Sequence, residues 1–514
     1  MKNHLTHVLL IFMSLLPILT NEGFETILFI NNFYRLLLTL GVLYSCVIMY
    51  KYTIGRIFTY ILVLLLTLNF SLSLVSRVIY KSNFDETQAT SILLSNSSES
   101  LGMLQGYLPY ILISILYFVV LVSLIQRISK QSFSVKQQKG LSVFVIVNFI
   151  LLNFLALDSY VLKGEKRKFN KSSNTTKFLQ KIPLYNSARF VTALNFMDEA
   201  KAIHTSKVDY SDLKVELNNI ENIVVVIGES ARKDVFSLYG ATTKTSPNLD
   251  KRKGNMMIFE NAIAPASYTI LSVPMMLSKA IPSNDYSALE VSDNVVNLAN
   301  YTGIWNTYWF SSHEKIGIHV NAISAIADFA KTRDWNENKY DEYLVPMLRE
   351  SINDSAHKRL IFLHTIGSHY PLTDRYPKEF DVFKSFEKQY YNEYYNSIYY
   401  TDYVIEQVIK EIENTPSILI YVSDHAQTDN KTMFTHSLTK KGVEVPFFIW
   451  YSDSVEDKFK ITTTVSERIS TTEVYEIIKR YLGVKTSNRK AENKDLKVLS
   501  GDMKLYTYDE LEEQ

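Results

Sequence analysis

The chain has 514 residues but only one cysteine, Cys46. An intramolecular disulfide is therefore impossible, and zinc sites built from several thiolates are excluded. An extracytoplasmic location is not excluded, because a long soluble part can bury a sufficient core without disulfides.

The chain also lacks a strong excess of charge of either sign. It carries 54 Lys and Arg against 53 Asp and Glu, a formal net charge of +1 at pH 7. A dedicated nucleic-acid-binding protein needs a basic excess to neutralise phosphates. We therefore expect no nucleic-acid partner.

Long apolar runs are absent after about residue 160, but five occur before it. Each approaches the roughly 20 apolar residues that span a bilayer. The first run could be a signal peptide, but no small-residue cleavage site follows it, so we interpret it as a retained span. The fifth could be a buried helix of the soluble part, although its uninterrupted apolarity favours a span. The five predicted spans are 5–20, 33–50, 57–75, 107–126 and 141–157.

Lysine and arginine predict the orientation of these spans. They are concentrated at the N-terminus and in the loops after the second and fourth spans, which should be cytoplasmic. Five spans from a cytoplasmic N-terminus place everything after residue 160 outside. The basic stretch 163–171 conflicts with this rule, but charges that precede a long translocated domain carry less weight in it. The cytoplasmic group is Lys2, Lys51, Arg56, Arg127, Lys130, Lys136 and Lys139.

Composition divides the chain into a transmembrane domain (1–160) and three further parts. Residues 161–215 are rich in Lys, Asn and Ser and predict a bridging linker with a connecting helix. In residues 216–485, short apolar strands alternate with amphipathic helices, which predicts an α/β sheet covered by helices on both faces. Residues 486–514 are polar, and we expect an exposed C-terminal tail.

Several strand candidates end in side chains that can bind a metal ion. Glu229 follows IVVVIG, His364 and His369 follow LIFL, and Asp424 and His425 follow SILIYVS. Chemistry gathers at the carboxyl ends of strands in such sheets. Carboxylates and imidazoles are ligands that zinc accepts. Three such strand ends predict a metal centre rather than isolated structural histidines.

The stretch VVVIGESARKD can be interpreted in three ways. Ser230 could be a nucleophile, Glu229 could be a metal ligand, or Ser230 could cap a helix. A G-x-S-x-G nucleophile elbow is not formed, because Arg232 replaces the final glycine. We expect Glu229 to bind the metal and Ser230 to open a following helix.

Several motifs together resemble the phosphoethanolamine transferases of Gram-negative envelopes. These enzymes belong to the alkaline phosphatase and sulfatase superfamily and include the mobile colistin-resistance enzymes. The matching stretches are VVVIGESARKDVFSLYG, APASYTILSVPMMLS, HTIGSHYPL, YVSDH and FTHSLT. The resemblance implies a five-helix transmembrane domain followed by an extracytoplasmic α/β/α domain of alkaline phosphatase/sulfatase type. It also implies a multi-pass protein of the bacterial inner membrane with its catalytic domain in the periplasm.

The resemblance assigns a zinc site to four of the residues. Glu229, Asp424 and His425 match zinc ligands, and Thr269 matches the nucleophile that completes the site. Zinc coordination would lower the pKa of this hydroxyl and orient it. Ser267 and Tyr268 are rival hydroxyls beside Thr269, and the register to the Ser-Val-Pro that follows favours Thr269.

Two further histidines, His369 and His436, match residues that contact the substrate phosphate or hold a second zinc ion. One zinc site is therefore expected, and a second is left open. The two histidines are also candidates for acid and base.

The reaction implied by the resemblance is transfer in two steps. Thr269 attacks phosphatidylethanolamine, and a sugar hydroxyl of lipopolysaccharide then takes the phosphoethanolamine. A phosphoglycerol transferase and a membrane-anchored phosphodiesterase are alternatives within the superfamily. An envelope scaffold and a transporter are alternatives outside enzymes. A sulfatase is disfavoured, because no Cys- or Ser-x-Pro-x-Arg motif occurs. We expect a monomer.

Some positions depart from the family pattern. Ala426 and Gln427 replace the usual Gly-Glu after the Asp-His pair, which puts the support of His425 in question. Pro265 and Met275 flank Thr269 where the lipid A branch has cysteines. TYWFSSHEKIG is more similar to the branch that modifies core heptose or other surface sugars. We therefore expect a core heptose or O-antigen acceptor rather than lipid A.

The loop between the third and fourth spans contains SILLSNSSES. Its residues Ser91, Ser95 and Glu99 are spaced by four, which places them on one helix face. The resemblance implies that Ser95 and Glu99 contact the lipid donor, whereas Ser91 replaces an Asn of the family. A solvated polar loop is the alternative.

Overall fold

The computed structural model divides the chain into two compact units, Met1–Phe196 and Met197–Gln514. The division falls inside the predicted bridging segment, so the boundaries of that segment stay a prediction. The structure describes residues 2–20, 26–80, 82–94, 97–159, 171–202, 208–283, 291–313, 322–335, 340–485, 496–501 and 503–513.

The first unit is helical. Three of the five predicted spans lie within its helices, and the spans 5–20 and 33–50 each extend one residue beyond a helix end. Its helices are α1 (Lys2–Leu19), α2 (Thr26–Met49), α3 (Thr53–Ile79), α4 (Glu86–Leu94), α5 (Ser97–Ser129), α6 (Val135–Leu157), α7 (Lys171–Leu179) and α8 (Ser187–Ala202).

Four helical stretches in the described part of the chain are long and apolar enough to cross a membrane. The apolar part of α1, His4–Leu19, is shorter than these, so the count of five crossings stays a prediction. The four stretches are Phe29–Met49, Thr53–Ile79, Gly106–Ser129 and Val135–Leu157.

Apolar side chains cover much of the outer surface of this unit. On α6, Val143, Phe149 and Ile150 are each more than half exposed. An apolar surface of this extent is costly in water and is covered by lipid in a membrane protein. This exposure favours a span over a buried helix of the soluble part for the fifth segment.

The second unit alternates strands and helices. Its elements are β1 (Lys214–Val215), β2 (Asn222–Gly228), α9 (Pro247–Arg252), β3 (Met256–Ile263), α10 (Thr269–Leu277), α11 (Val295–Thr302), β4 (Asn306–Ser311), α12 (Ala322–Ala327), β5 (Thr332–Trp335), α13 (Leu344–Ile352), β6 (Arg359–His364), α14 (Gln389–Ile412), β7 (Ser417–Ser423), β8 (Thr428–Asp429), β9 (Phe434–Thr435), α15 (Lys440–Val443), β10 (Glu444–Tyr451), β11 (Thr464–Ser470), α16 (Val474–Tyr481), β12 (Val484–Lys485), β13 (Lys497–Leu499) and β14 (Leu505–Thr507).

Eight strands form one mixed sheet in the order β11-β3-β10-β7-β2-β6-β4-β5. Strand β10 runs antiparallel to both neighbours, and the other adjacent pairs are parallel. The central strands β2, β6 and β7 are buried along their whole length, as expected for strands covered on both faces. Their carboxyl ends therefore meet at one edge of the sheet, and the predicted α/β fold is confirmed.

The predicted helix after Ser230 is wrong. Ser230 has a φ of +61°, and two 3₁₀ turns, Lys233–Val235 and Ser237–Tyr239, follow it instead of an α-helix. The hydroxyl of Ser230 donates to Glu229, so it is not used to cap a helix.

The expectation of an exposed tail is wrong for its second half. Strands β13 and β14 pair as an antiparallel hairpin, and Val498 and Leu499 are fully buried. These two apolar residues stand in a polar stretch too short to show a strand periodicity. Their burial makes residues 496–501 and 503–513 a folded part of the second unit.

Candidate metal centre and nucleophile

Glu229 stands directly after β2, at the carboxyl edge of the sheet. Gly228 allows the strand to pass close to β7, because a Cβ at this position would lie 2.6 Å from the hydroxyl oxygen of Tyr421. Glu229 is 1% exposed. Its Oε1 accepts from the hydroxyl of Ser230 at 2.5 Å, and its Oε2 accepts from the hydroxyl of Thr269 at 3.0 Å. Ser230 therefore holds Glu229 in place.

Asp424 stands at the equivalent position after β7. Its amide donates to the carbonyl of Gly228 at 2.9 Å. Oδ1 accepts from the amides of Ser230 at 3.0 Å and His425 at 2.7 Å. Within the described part of the chain, Oδ2 of this buried carboxylate has no hydrogen-bond donor. One oxygen is thus fixed by the backbone and the other is available to a cation.

The ring of His425 is oriented by its own backbone neighbourhood. Nδ1 donates to the carbonyl of Ala426 at 3.1 Å, so the neutral ring carries its lone pair on Nε2. Nε2 lies 3.1 Å from Oγ1 of Thr269 and 3.2 Å from Oδ2 of Asp424. The support of His425 is a backbone carbonyl, so replacement of Gly by Ala426 preserves it.

Thr269 is the first residue of α10. Its hydroxyl contacts both Glu229 and His425. Partial positive charge at a helix N-terminus favours negative charge on such an oxygen. Of the two rival hydroxyls, that of Ser267 is fully buried and has no hydrogen-bond partner among the residues that the structure describes, and the ring of Tyr268 packs edge-on against His436.

The geometry brings His436 into the ligand cluster. One ligand atom each of Glu229, His425 and His436 lie within 4.8 Å of one another. The rings of His425 and His436 are 4.5 Å apart. The ring of His369 lies 6.4 Å from that of His436, and its Nδ1 contacts the carbonyl of Tyr370 at 2.9 Å. His436 thus stands among the candidate ligands, with His369 beside them.

The electrostatics of the cluster favour a bound cation. Burial and repulsion by Asp424 raise the pKa of Glu229, and burial raises the pKa of Asp424. Burial lowers the pKa of His425 to about 3. Among the described residues, His425 is the only basic side chain within 4 Å of either carboxylate. Two buried carboxylates without a cationic partner are costly.

Zinc fits this donor set. Zinc commonly takes three or four ligands chosen from carboxylate oxygens and imidazole nitrogens. The unpartnered Oδ2 of Asp424, the lone pair on Nε2 of His425 and the nearby carboxylate of Glu229 are such donors.

The sequence analysis missed His313. This residue follows β4 at the same sheet edge, and its ring stacks on that of His364 at 4.1 Å. Its Nε2 contacts the carbonyl of Thr365 at 2.8 Å, and burial and His369 lower its pKa to about 4. The strand-end argument that selected His369 would also have found it. His364 ends β6 and is buried against His313, outside the ligand cluster of the described residues.

The predicted donor contacts cannot be placed. Ser95 lies outside the described residues, as does the side chain of Glu99. Ser91 lies in α4, and its hydroxyl donates to the carbonyl of Thr87. The donor site therefore stays a prediction.

Carboxylates, imidazoles and a threonine at the start of a helix lie together at one edge of a mixed α/β sheet and form a candidate metal centre. The sulfatase family model matches residues 221–484, just over half of the chain, and the chain belongs to this family. Residues 1–203 match the model for the N-terminal domain of the transferase YhbX.

Two curated relatives match most of the chain. The putative transferase YhbX of Escherichia coli K12 is 28% identical over 413 residues, covering 78% of this chain and 74% of that protein. The phosphoethanolamine transferase EptC of the same strain is 24% identical over 411 residues, covering 73% and 71%. The predicted resemblance to phosphoethanolamine transferases is confirmed, whereas the preference for the core-sugar branch stays a prediction.

Two solved structures share the fold. The zinc complex of the C-terminal periplasmic domain of E. coli EptC has a TM-score of 0.53 and 22% identity, covering 60% of this chain and 98% of that one. The integral membrane protein lipooligosaccharide phosphoethanolamine transferase A of Neisseria meningitidis has a TM-score of 0.60 and 18% identity, covering 93% and 95%.

Proposed function

We propose that this chain is a zinc-dependent transferase that moves phosphoethanolamine from phosphatidylethanolamine to a sugar of lipopolysaccharide. The observation that carries the proposal is the hydroxyl of Thr269, which contacts Glu229 and His425 at the edge of a buried carboxylate–imidazole cluster. The names of the relatives EptC and EptA support phosphoethanolamine as the transferred group.

Glu229, Asp424, His425 and Thr269 would hold the zinc ion, with His436 close to them. When bound, zinc lowers the pKa of a coordinated hydroxyl and stabilises negative charge on phosphoryl oxygens. The zinc complex of the EptC domain supports the choice of metal.

The chain's own residues supply the nucleophile and a proton acceptor. Oγ1 of Thr269 forms a bond to phosphorus while the bond from phosphorus to the diacylglycerol oxygen breaks. The proton of Thr269 ends on that oxygen, and diacylglycerol leaves. The acceptor hydroxyl then attacks phosphorus, the bond to Thr269 breaks, and the acceptor's proton returns to Thr269.

His369 is the proposed carrier of these protons. Burial and the charge of Arg375 lower its pKa to about 4, so its ring is neutral at pH 7. Its Nδ1 donates to the carbonyl of Tyr370, so the lone pair of the neutral ring lies on Nε2.

Membrane attachment would keep the enzyme in the bilayer that contains its proposed lipid donor. We propose an inner-membrane protein whose second unit lies in the periplasm, acting as a monomer. The proposed acceptor is a core heptose or O-antigen sugar.

Two experiments test the proposal. The purified full-length chain should release diacylglycerol from phosphatidylethanolamine only when zinc is present. Use of phosphatidylglycerol would instead indicate a phosphoglycerol transferase, and release of free phosphoethanolamine to water would indicate a phosphodiesterase. Mass spectrometry of lipopolysaccharide from cells with and without the gene should then locate the added group on a sugar. A group on lipid A would contradict the proposed acceptor.

A further inference from the structure

The C-terminal residues 496–501 and 503–513, which we call the C-terminal brace, are folded onto the second unit. Lys497–Leu499 pairs with Leu505–Thr507, and the amide of Tyr508 donates to the carbonyl of Leu496 at 2.8 Å. Val498 and Leu499 are fully buried. The brace contacts the backbone near the candidate site at two separate places.

The first contact is with the segment that leads into Thr269. The amide of Leu499 donates to the carbonyl of Pro265 at 2.8 Å, and Leu499 forms a parallel bridge with Ala266. Between this contact and Thr269 stand Ser267 and Tyr268, both buried. The brace therefore fixes the backbone from which Thr269 and α10 begin.

The second contact is with the segment that follows His436. Glu512 forms a parallel bridge with Thr439, and its carbonyl accepts from the amide of Lys440 at 2.8 Å. This segment packs closely against the residue after His436, because a Cβ at Gly442 would lie 2.1 Å from the carbonyl oxygen of Ser437.

Side chains anchor the brace between these contacts. The hydroxyl of Tyr508 donates to Glu444, the first residue of β10. The guanidinium of Arg468 lies 4.7 Å from the ring of Tyr508 and 2.9 Å from Asp509. Contacts at Tyr508 and Asp509 thus hold the brace to the second unit between its two backbone contacts.

We propose that the C-terminal brace positions two functional residues for the proposed transfer reaction. Leu499 positions Thr269, and Glu512 positions His436. Neither touches substrate, and the inference rests on the proposed function. No intramolecular disulfide can fix these backbone segments, because Cys46 is the only cysteine and lies in the first unit.

The Thr269 end is tested by Leu499→Ala in the full-length chain, which keeps the amide of residue 499 but removes the buried side chain that fixes its strand beside Pro265 and Ala266. The exposed Lys497 of the same strand provides a control, Lys497→Ala. Because small misplacement of a nucleophile is costly, Leu499→Ala should lower kcat for diacylglycerol release by about tenfold per zinc-loaded molecule. KM and zinc affinity should stay within about twofold. Leu499→Met should restore kcat, since it refills the buried site.

The His436 end is tested by two truncations. A chain that ends at Leu511 loses Glu512, whereas a chain that ends at Glu512 keeps this residue and loses Gln514 and the exposed Glu513, whose carboxylate pairs with Lys440. The first truncation should weaken zinc binding about tenfold, the scale for groups that orient a ligand. The second should bind zinc like the full chain.

A purely structural brace would give a different result. Its variants would unfold at lower temperature, but kcat per bound zinc and zinc affinity would match the full chain, and the proposal would be wrong. If the unmodified chain releases no diacylglycerol from phosphatidylethanolamine, the proposed function fails instead. The zinc affinities of the two truncations then still decide whether the brace positions His436.

Discussion

The hydroxyl of Thr269 donates to Oε2 of Glu229 across 3.0 Å, although 40 positions separate the two residues in the chain. The sheet makes this approach possible, because Glu229 stands at the end of β2 and Thr269 at the start of α10. A hydroxyl held by a buried carboxylate is the arrangement expected of a nucleophile that shares a metal site.

Thr269→Ala should abolish transfer without unfolding the protein. The substitution removes the only proposed nucleophile, so kcat for diacylglycerol release should fall on the order of 10³-fold or more. Thr269→Ser keeps a hydroxyl and should retain part of the activity. Ser267→Ala is the matched control, and activity after that change should stay near that of the unmodified chain. A strong loss in Ser267→Ala with normal thermal unfolding would point to the wrong hydroxyl.

His436 and His369 should separate into two phenotypes. His436 lies in the ligand cluster, so His436→Ala should weaken zinc binding about 10- to 100-fold, the range typical of residues that adjoin the metal ligands. His369 lies outside that cluster, so His369→Ala should bind zinc normally and lose about 10²-fold or more in kcat. Calorimetric zinc titration and steady-state kinetics measure the two effects. Equal zinc affinity in both variants would contradict the assignment of His436.

Zinc affinity should increase with pH. Burial and mutual repulsion raise the pKa of Glu229, and burial raises that of Asp424, so the metal-free protein retains protons that zinc must displace. Burial lowers the pKa of His425 to about 3, so this ring is already neutral and adds no pH dependence.

The same pKa shifts predict how the stability of the metal-free chain changes with pH. The pKa values of Glu229 and Asp424 are higher in the folded than in the unfolded chain. Their contribution to the free energy of unfolding is therefore complete at low pH and is lost as pH rises through the raised pKa values. The metal-free chain should therefore unfold at lower temperature as pH rises through the raised pKa values of the two carboxyl groups, while stabilisation by zinc increases. Zinc titrations and thermal unfolding at several pH values test the two expectations. A zinc affinity that is independent of pH would contradict them.

Gly228→Ala should destabilise the second unit, and a second substitution should relieve the effect. A Cβ at this position meets the hydroxyl of Tyr421 at 2.6 Å, so the expected cost is about 1–3 kcal/mol. Tyr421→Phe removes that oxygen, which is buried and has no hydrogen-bond partner among the described residues, and alone should be neutral or stabilising. Thermal unfolding of the double variant should recover only part of the loss, because the ring carbon Cζ would still lie 2.8 Å from the added Cβ. No recovery would show that the hydroxyl of Tyr421 does not contribute to the clash.

The sequence was most informative where apolar runs end in ligand-type residues. The runs of β2 and β7 are buried on both faces and uninterrupted, so the positions of Glu229, Asp424 and His425 at the sheet edge could be predicted. Thr269 could not be found from periodicity, because it begins a helix rather than ending a strand. Only its motif identified it.

Other features depend on contacts that sequence patterns do not encode. The left-handed conformation of Ser230 follows from its bonds to Glu229 and Asp424, which are set by tertiary structure. The burial of Val498 and Leu499 depends on the carbonyl of Pro265, far away in the chain. The polar sequence around these two residues predicted an exposed segment, but contacts with residues distant in the chain bury it.

Mass spectrometry of the protein itself tests the central claim most directly. The zinc-loaded chain would be incubated with phosphatidylethanolamine without an acceptor, quenched and digested. The account predicts phosphoethanolamine on the peptide that contains Thr269, and no modification in Thr269→Ala. Zinc-dependent release of diacylglycerol with phosphoethanolamine on another residue, or on none, would contradict it.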